Sequence, residues 1–154
     1  MSADKKSQAP CAVSKCLLGI PCRYDGAVKK VTVPPWGSAE VIAVCPETAA
    51  GLSVPRTPCE IVGGDGADVL LGTARVLDIN GADKTDDYIR GAEICADMCK
   101  VNGVTQAYLK SKSLECGAGR IYDGSHTGKL IQGDGIFAAM LKEMCITVTE
   151  TEAD

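Results

Sequence analysis

Three short apolar runs along the chain each lead into a cysteine. The runs begin at Ala12, Val41 and Val104, and the cysteines that follow are Cys16, Cys45 and, after a polar loop, Cys116. Pro46 cannot continue a central strand, so Cys45 lies at the exit of the second strand. If the three strands are parallel, their carboxyl ends share one edge of the sheet, where open α/β folds bind ligands. The pattern predicts that three thiols far apart in sequence converge.

The order of the remaining elements predicts an α/β fold, a single-domain sandwich with a mainly parallel sheet and accessory hairpins, Rossmann-like in type. One helix is expected to begin within residues 83–87, where Thr85 can act as its cap, and to run to about residue 101. A second helix is expected over residues 136–144 and a final strand over residues 146–149. One hairpin is expected across the turn at residues 63–66, with residues 60–62 and 68–71 as its strands and a continuation into residues 74–78. Another is expected around residues 120–131. The domain is predicted over residues 11–150, with a disordered tail at 1–10 and an acidic tail at 151–154.

The cysteine content is unusual for a chain of this kind. The sequence has nine cysteines in 154 residues and a formal net charge of -4, which argues against a nucleic-acid-binding surface. The opening segment has no apolar core typical of a signal peptide, and no apolar run is long enough to span a membrane. We therefore expect a cytoplasmic protein, with no membrane partner. In that compartment excess cysteine points to metal binding or catalysis rather than disulfides.

Two of the cysteines are better explained as core residues. Cys95 and Cys99 fall on one face of the first long helix, together with Tyr88, Ala92 and Ala96. That spacing favours packing over metal binding, although cysteines four apart on a helix can also hold a metal.

Polar side chains surround the cysteines at the predicted strand ends. Lys110, Ser111 and Ser113 lie in the loop before Cys116, which also contains Glu115 and a Gly-Ala-Gly turn. Glycines let the backbone approach whatever the thiol holds. Arg23 follows the first cysteine in a segment that could be a substrate loop or a solvated turn. Arg56 lies in a proline-stiffened loop.

The chain resembles one known family from end to end. The matching segments are Ser14-Lys15-Cys16-Leu17-Leu18-Gly19, Arg23-Tyr24-Asp25-Gly26, Cys45-Pro46-Glu47, Gly51-Leu52, Pro55-Arg56, Gly91-Ala92, Leu109-Lys110-Ser111-Lys112-Ser113, Cys116-Gly117, Ile121-Tyr122-Asp123-Gly124 and Gly133-Asp134-Gly135. They run in order over about residues 12 to 150. The family is the uncharacterised-domain family that includes the iron–sulfur thiouracil desulfidases.

The resemblance implies a four-iron four-sulfur cluster with three cysteine ligands and one open iron. Residue by residue, the ligands fall on Cys16, Cys45 and Cys116, the acid/base glutamate on Glu47 and the catalytic serine on Ser113. It further implies a thiolated small-molecule substrate and the iron–sulfur assembly machinery as a partner. Arg23, Arg56, Lys110 and Ser111 are candidate substrate-binding residues. Cys22 and Cys59 occupy positions where the family tolerates other residues, so neither is assigned as a ligand.

One segment departs from the family pattern. Leu114 and Glu115 replace the usual Pro-Ser before the third ligand, which loosens the loop and adds a carboxylate.

Two functions other than a desulfidase also fit the sequence. One is a structural or regulatory module that binds zinc or an iron–sulfur cluster without turnover, in which Glu47 is incidental. The other is a metal-free enzyme with Cys116 as nucleophile, for which His126 is the one histidine in the sequence that could act as base.

Overall fold

A four-stranded parallel sheet organises the fold. The computed structural model describes residues 9–153. The sheet consists of β1 (Cys11–Ser14), β2 (Val41–Val44), β5 (Gln106–Lys110) and β8 (Thr147–Thr151). The strands lie in the order β2-β1-β5-β8, and each neighbouring pair is parallel. The predicted α/β fold is confirmed, and the carboxyl ends of β1, β2 and β5 share one edge.

Two antiparallel hairpins accompany this sheet, as the sequence predicted. Strand β3 (Cys59–Val62) pairs with β4 (Arg75–Asp78), and β6 (Arg120–Tyr122) pairs with β7 (Leu130–Gln132). The Glu60 carboxylate links the two, because its Oε1 accepts hydrogen bonds from the backbone amides of Gly124 and His126 at 2.9 and 3.2 Å. The hairpins therefore form a connected wall beside the edge where the strands end.

The prediction of a strand at residues 68–71 is wrong, because this segment belongs to helix α2 (Gly66–Leu71). Asp65 and Asp68 form a reciprocal capping box, in which each side chain accepts a hydrogen bond from the other residue's amide. Gly72 ends the helix with a φ of 85°, in the left-handed region that glycine tolerates. Capping at both ends decides for a helix in a short apolar run that fits either a helix or a strand. Strands β3 and β4, which precede and follow this helix in the sequence, pair with each other.

The other helices cover one face of the sheet. They are α1 (Pro46–Ala49), α3 (Thr85–Val101) and α4 (Ile136–Glu143). The main core contains Ala12, Val44, Ala107 and Leu109 from the strands and Tyr88, Ala92, Cys95, Cys99, Phe137 and Leu141 from the helices. The interpretation of Cys95 and Cys99 as core residues is confirmed.

Gly91 sets how closely α3 approaches α1. A Cβ at this position would overlap the carbonyl oxygen of Pro46, so no larger residue fits without a backbone shift. The contact fixes α1, and with it the position of Cys45 and Glu47, against the longest helix. The glycine thus links core packing to the placement of two candidate site residues.

The second face of the sheet is covered by a smaller cluster. Cys11, Val13 and Leu17 are buried there, with Trp36 and Tyr108 packed against them. Strand β8 includes Thr151, which was predicted to begin the acidic tail. The N-terminal tail predicted for residues 1–10 falls outside the described residues except for residues 9 and 10. No helix in residues 9–153 is long and apolar enough to cross a membrane.

Candidate active site

A cavity of about 560 Å³ opens at the carboxyl edge of the sheet. Its walls include the ends of β1, β2 and β5 and the two hairpins. All nine residues assigned to the site from sequence line it: Cys16, Cys45, Cys116, Glu47, Ser113, Arg23, Arg56, Lys110 and Ser111. The predicted convergence of the strand ends therefore occurs.

The three predicted thiols reach the cavity from three separate segments. Cys16 lies in a 3-10 turn, Lys15–Leu17, directly after β1, and Cys45 is the residue before α1. Cys116 follows the loop after β5 and hydrogen-bonds to Ser14. Burial raises the pKa of Cys116 well above its ordinary value, although Ser14 acts in the opposite direction. Without a nearby cation this sulfur is a neutral thiol.

A fourth cysteine, Cys22, joins this group. Its thiol hydrogen-bonds with those of Cys16 and Cys45. The hydrogen bond with Cys16, together with burial, raises the pKa of Cys22 to about 11, while that with Cys45 acts in the opposite direction. The hydrogen bond with Cys22 and burial raise the pKa of Cys45. The sequence pattern alone did not reveal this contact, because it depends on how the turn at residues 19–22 folds back.

The Cys116 loop is organised by Ser113. The Ser113 Oγ accepts hydrogen bonds from the backbone amides of Glu115 and Cys116 at 3.1 and 3.0 Å. The Gly117 amide donates to the Ser113 carbonyl at 2.7 Å, and a Cβ on Gly117 would lie 2.6 Å from that oxygen. Both acceptor positions of the hydroxyl are occupied, so its hydrogen remains available to donate into the cavity.

Glu115, the residue that departs from the family pattern, is fully buried. Neither carboxyl oxygen has a hydrogen-bond partner of good geometry among the described residues. Burial, and then the charges of Glu47 and Cys45, raise its pKa well above the ordinary value, with a smaller opposing effect from the Phe137 amide. Glu115 is therefore a neutral carboxylic acid packed behind the thiols rather than an added charge.

Glu47 is held by Arg56 and Tyr88 through a single oxygen. Arg56 donates to Oε2 through Nε at 2.9 Å, with Nη2 at 2.7 Å, and the Tyr88 hydroxyl donates at 3.2 Å. Burial and the charge of Glu47 raise the pKa of Tyr88, so the phenol keeps its proton. Tyr88 was predicted only as a core residue, because its hydroxyl contact spans 41 positions of sequence.

The remaining cations occupy the other side of the cavity. Lys110 Nζ donates to the carbonyl and the hydroxyl of Ser111 at 3.1 and 3.2 Å. Burial, and then the proximity of Arg23, lower the pKa of Lys110. The Ser111 hydroxyl in turn donates to Glu152 at 3.0 Å. Ser111 therefore orients Lys110, and its own hydroxyl is already committed.

His126 lies on the hairpin wall, with Nδ1 at 3.7 Å from Glu60 Oε2. Cys116 hydrogen-bonds to Ser14. Within residues 9–153 the contacts therefore form no Cys116–His126 dyad, which disfavours the metal-free nucleophile hypothesis.

No three His, Cys, Asp or Glu side chains in residues 9–153 are arranged around a single metal ion. In an iron–sulfur cluster each cysteine binds a different iron atom, so its ligands do not have to surround one metal ion.

Known proteins match this chain over nearly its whole length. Residues 11–153 match the family model described as 2-thiouracil desulfurase. The uncharacterised protein YbbK of Bacillus subtilis (strain 168) is 40% identical over 137 residues, covering 85% of this chain and 88% of YbbK. The solved structure of the 4Fe-4S-dependent thiouracil desulfidase TudS superimposes with a TM-score of 0.80 at 36% identity, covering 93% of this chain and 91% of that one.

Proposed function

The chain belongs to the 2-thiouracil desulfurase family, and from that premise we propose that it removes sulfur from a thiolated heterocycle such as thiouracil. The cofactor is a four-iron four-sulfur cluster, as in the similar TudS structure. The thiocarbonyl sulfur is exchanged for a water oxygen, so a carbonyl compound and sulfide leave and no electrons are transferred. The observation that carries the proposal is the gathering of Cys16, Cys45, Cys116 and Glu47 around one cavity.

The donor set in the cavity fits the cluster. Thiolates are the preferred protein ligands of iron–sulfur clusters, and the three proposed ligands, Cys16, Cys45 and Cys116, come from three different strand ends. Crowding and burial hold Cys45 and Cys116 as thiols, a state that a cationic metal centre reverses by binding thiolates. When bound, the cluster supplies a thiophilic Lewis acid at its iron without a cysteine ligand.

Glu47 carries the proton in this proposal. Its Oε2 accepts all the recorded donors, Arg56 and Tyr88, which leaves Oε1 to exchange a proton at the cavity. Glu47 takes a proton from the attacking water and returns one to the heterocycle, as a general acid–base group does. Arg56 acts on Glu47 and on backbone carbonyls, so its support for substrate binding is indirect.

Ser113, Lys110 and Arg23 orient the substrate. The Ser113 hydroxyl has one hydrogen left after accepting two amides, and it donates that hydrogen to a ring nitrogen or oxygen. Lys110 and Arg23 provide positive charge beside Cys16, which offsets the negative charge of a thiolate-bound cluster. Ser111 holds the Lys110 ammonium group in place.

The test is anaerobic purification followed by iron and sulfide analysis and an assay with 2-thiouracil. We expect about four irons and four sulfides per chain, as the cluster requires, and release of sulfide together with uracil. Cys16→Ser, Cys45→Ser and Cys116→Ser should each lose the cluster, while the core control Cys95→Ala retains it. Stoichiometric zinc without labile sulfide would overturn the proposal. A loaded cluster with no sulfide release from thiolated bases would leave a binding module without turnover.

A further inference from the structure

The cavity holds one more thiol than the three-ligand cluster needs. Cys22 is 5% exposed and lines the same cavity as Cys16, Cys45 and Cys116. Its thiol hydrogen-bonds with both Cys16 and Cys45, which come from two different strand ends. Cys22 is thus a member of the thiol cluster rather than an isolated cysteine nearby.

The backbone around Cys22 is fixed by the same arginine that holds the proposed proton carrier. Arg56 Nη2 donates to the Cys22 carbonyl at 2.9 Å and lies 2.7 Å from Glu47 Oε2. The Arg56 amide donates to the Tyr24 carbonyl at 2.7 Å, and the Cys22 amide donates to Ile20 at 2.8 Å. Two hydrogen bonds therefore fix the Cys22 backbone, and one guanidinium connects it to Glu47.

We propose that Cys22 is a fourth thiolate ligand of the cluster in the resting protein, occupying the iron that Cys16, Cys45 and Cys116 leave open. The inference rests on the proposed function, because it presupposes the cluster. On binding, the Cys22 thiol loses one proton to solvent and gains an iron–sulfur bond, with no change in electron count. When the bond breaks, the thiolate takes a proton back.

This arrangement makes Cys22 a competitor of the substrate. One open iron position accepts one sulfur, so the Cys22 thiolate and a substrate sulfur exclude each other. A capped iron is protected while no substrate is present, whereas a cluster with one bare iron is exposed to solvent. Cys22 therefore regulates access to the site without entering the acid–base chemistry of Glu47.

Cys59 provides a matched control within the same cavity. It lines the wall formed by β3, is partly buried, and is a free thiol like Cys22. Its contacts are with the Thr57 carbonyl, at 3.7 Å, and with Tyr88, rather than with the other thiols. Replacing Cys59 removes a cavity thiol without touching the group around Cys16 and Cys45.

The experiment is Mössbauer spectroscopy of iron-enriched, anaerobically loaded wild type, Cys22→Ser and Cys59→Ser proteins. In the resting wild type all four irons should show all-sulfur coordination. In Cys22→Ser about one quarter of the iron signal, one iron in four, should shift to a distinct site. Cys59→Ser should match the wild type. Adding 2-thiouracil to wild type exchanges one sulfur ligand for another, so any change should be confined to that same quarter of the signal.

The outcomes separate this inference from the proposed function. A wild type that loads no four-iron cluster overturns the proposed function, and the inference with it. A loaded wild type with one iron already distinct, and unchanged in Cys22→Ser, overturns the inference alone. A Cys16–Cys22 disulfide in the loaded anaerobic protein, found by mass spectrometry, also overturns it. A wild-type spectrum with one distinct iron overturns the inference even if Cys22→Ser fails to fold.

Discussion

Glu47 is the residue on which turnover depends most directly. Its position in the first turn of α1, beside Cys45, brings its carboxylate to the cavity that the thiols line. Arg56 and Tyr88 hold that carboxylate through one oxygen. The arrangement resembles a base with its positioning groups, in which geometry is set before the substrate arrives.

We predict that Glu47→Gln loses turnover while keeping the cluster. The amide is nearly isosteric but cannot take up or release a proton, so sulfide release should fall about 10²–10⁴-fold, the usual contribution of general acid–base catalysis. The measurement is sulfide release at matched iron content. Glu93→Gln, on the exposed face of α3, is the control and should behave as wild type. Equal rates in Glu47→Gln and wild type would remove Glu47 from the mechanism.

Tyr88→Phe tests the positioning of Glu47 from the other side. The change removes one hydrogen bond to a carboxylate, worth roughly 1.5–3 kcal/mol, while Arg56 still holds Oε2. We expect kcat to fall by about tenfold or more, with KM and iron content close to wild type. A rise in KM at unchanged kcat would instead assign Tyr88 to substrate binding.

At the scale of elements, close packing between α1 and α3 positions the site. Gly91→Ala should destabilise the protein by about 1–3 kcal/mol, because its Cβ would overlap the Pro46 carbonyl and force the helices apart. Chemical denaturation measures the change, and Glu93→Ala, exposed on the same helix, is the control. The variant should also lose activity, since Glu47 moves with α1. If Gly91→Ala were as stable as wild type, α1 and α3 could move apart without loss of stability.

The core cysteines of α3 give a pH dependence. Burial raises the pKa of Cys99 from 9.0 to about 11, so the folded state keeps a proton that the unfolded state releases. The stabilisation from this proton is therefore complete below pH 9 and is lost as the pH rises towards 11, by up to about 3 kcal/mol. Denaturation under reducing conditions at several pH values should show that Cys99→Ala loses less stability over this range than wild type. If the unfolding free energies of Cys99→Ala and wild type fell in parallel with pH, the effect would be absent.

Helix α2 shows where local sequence patterns mislead. Its core, Val69 with its neighbouring leucines, is a short apolar run that fits a strand as well as a helix, but the capping box of Asp65 and Asp68 and the left-handed Gly72 decide for a helix. Thr85 is a second case, since it was a candidate cap for α3. Its buried hydroxyl instead accepts a hydrogen bond from the Val76 amide, which ties the helix to β4.

For the whole molecule, the sequence predicts contacts that follow from strand topology and misses those that follow from side-chain packing. Parallel strands require that Cys16, Cys45 and Cys116 share an edge, and the structure brings all three to one cavity. The contact of Cys22 with two of them depends on a turn whose direction no periodicity specifies. The role of Tyr88 was hidden for the same reason, because a core position and a hydroxyl donor look identical in a helical pattern.

The cluster should act as a cross-link for the whole fold. Its three proposed ligands span 100 residues of the chain, from Cys16 to Cys116. Joining the ends of so long a segment stabilises the folded protein roughly as a covalent cross-link does, by about 4 kcal/mol. For a chain of this size that corresponds to a fall of about 8–16 °C in Tm when the cluster is removed. Anaerobic calorimetry of loaded and chelator-treated protein measures the difference. Cys116→Ser, which should carry no cluster, should melt at the same temperature with or without chelator. Equal Tm values for the loaded and the cluster-free protein would mean that the sheet and helices alone hold the three loops together. The cluster would then bind to a site that is already rigid.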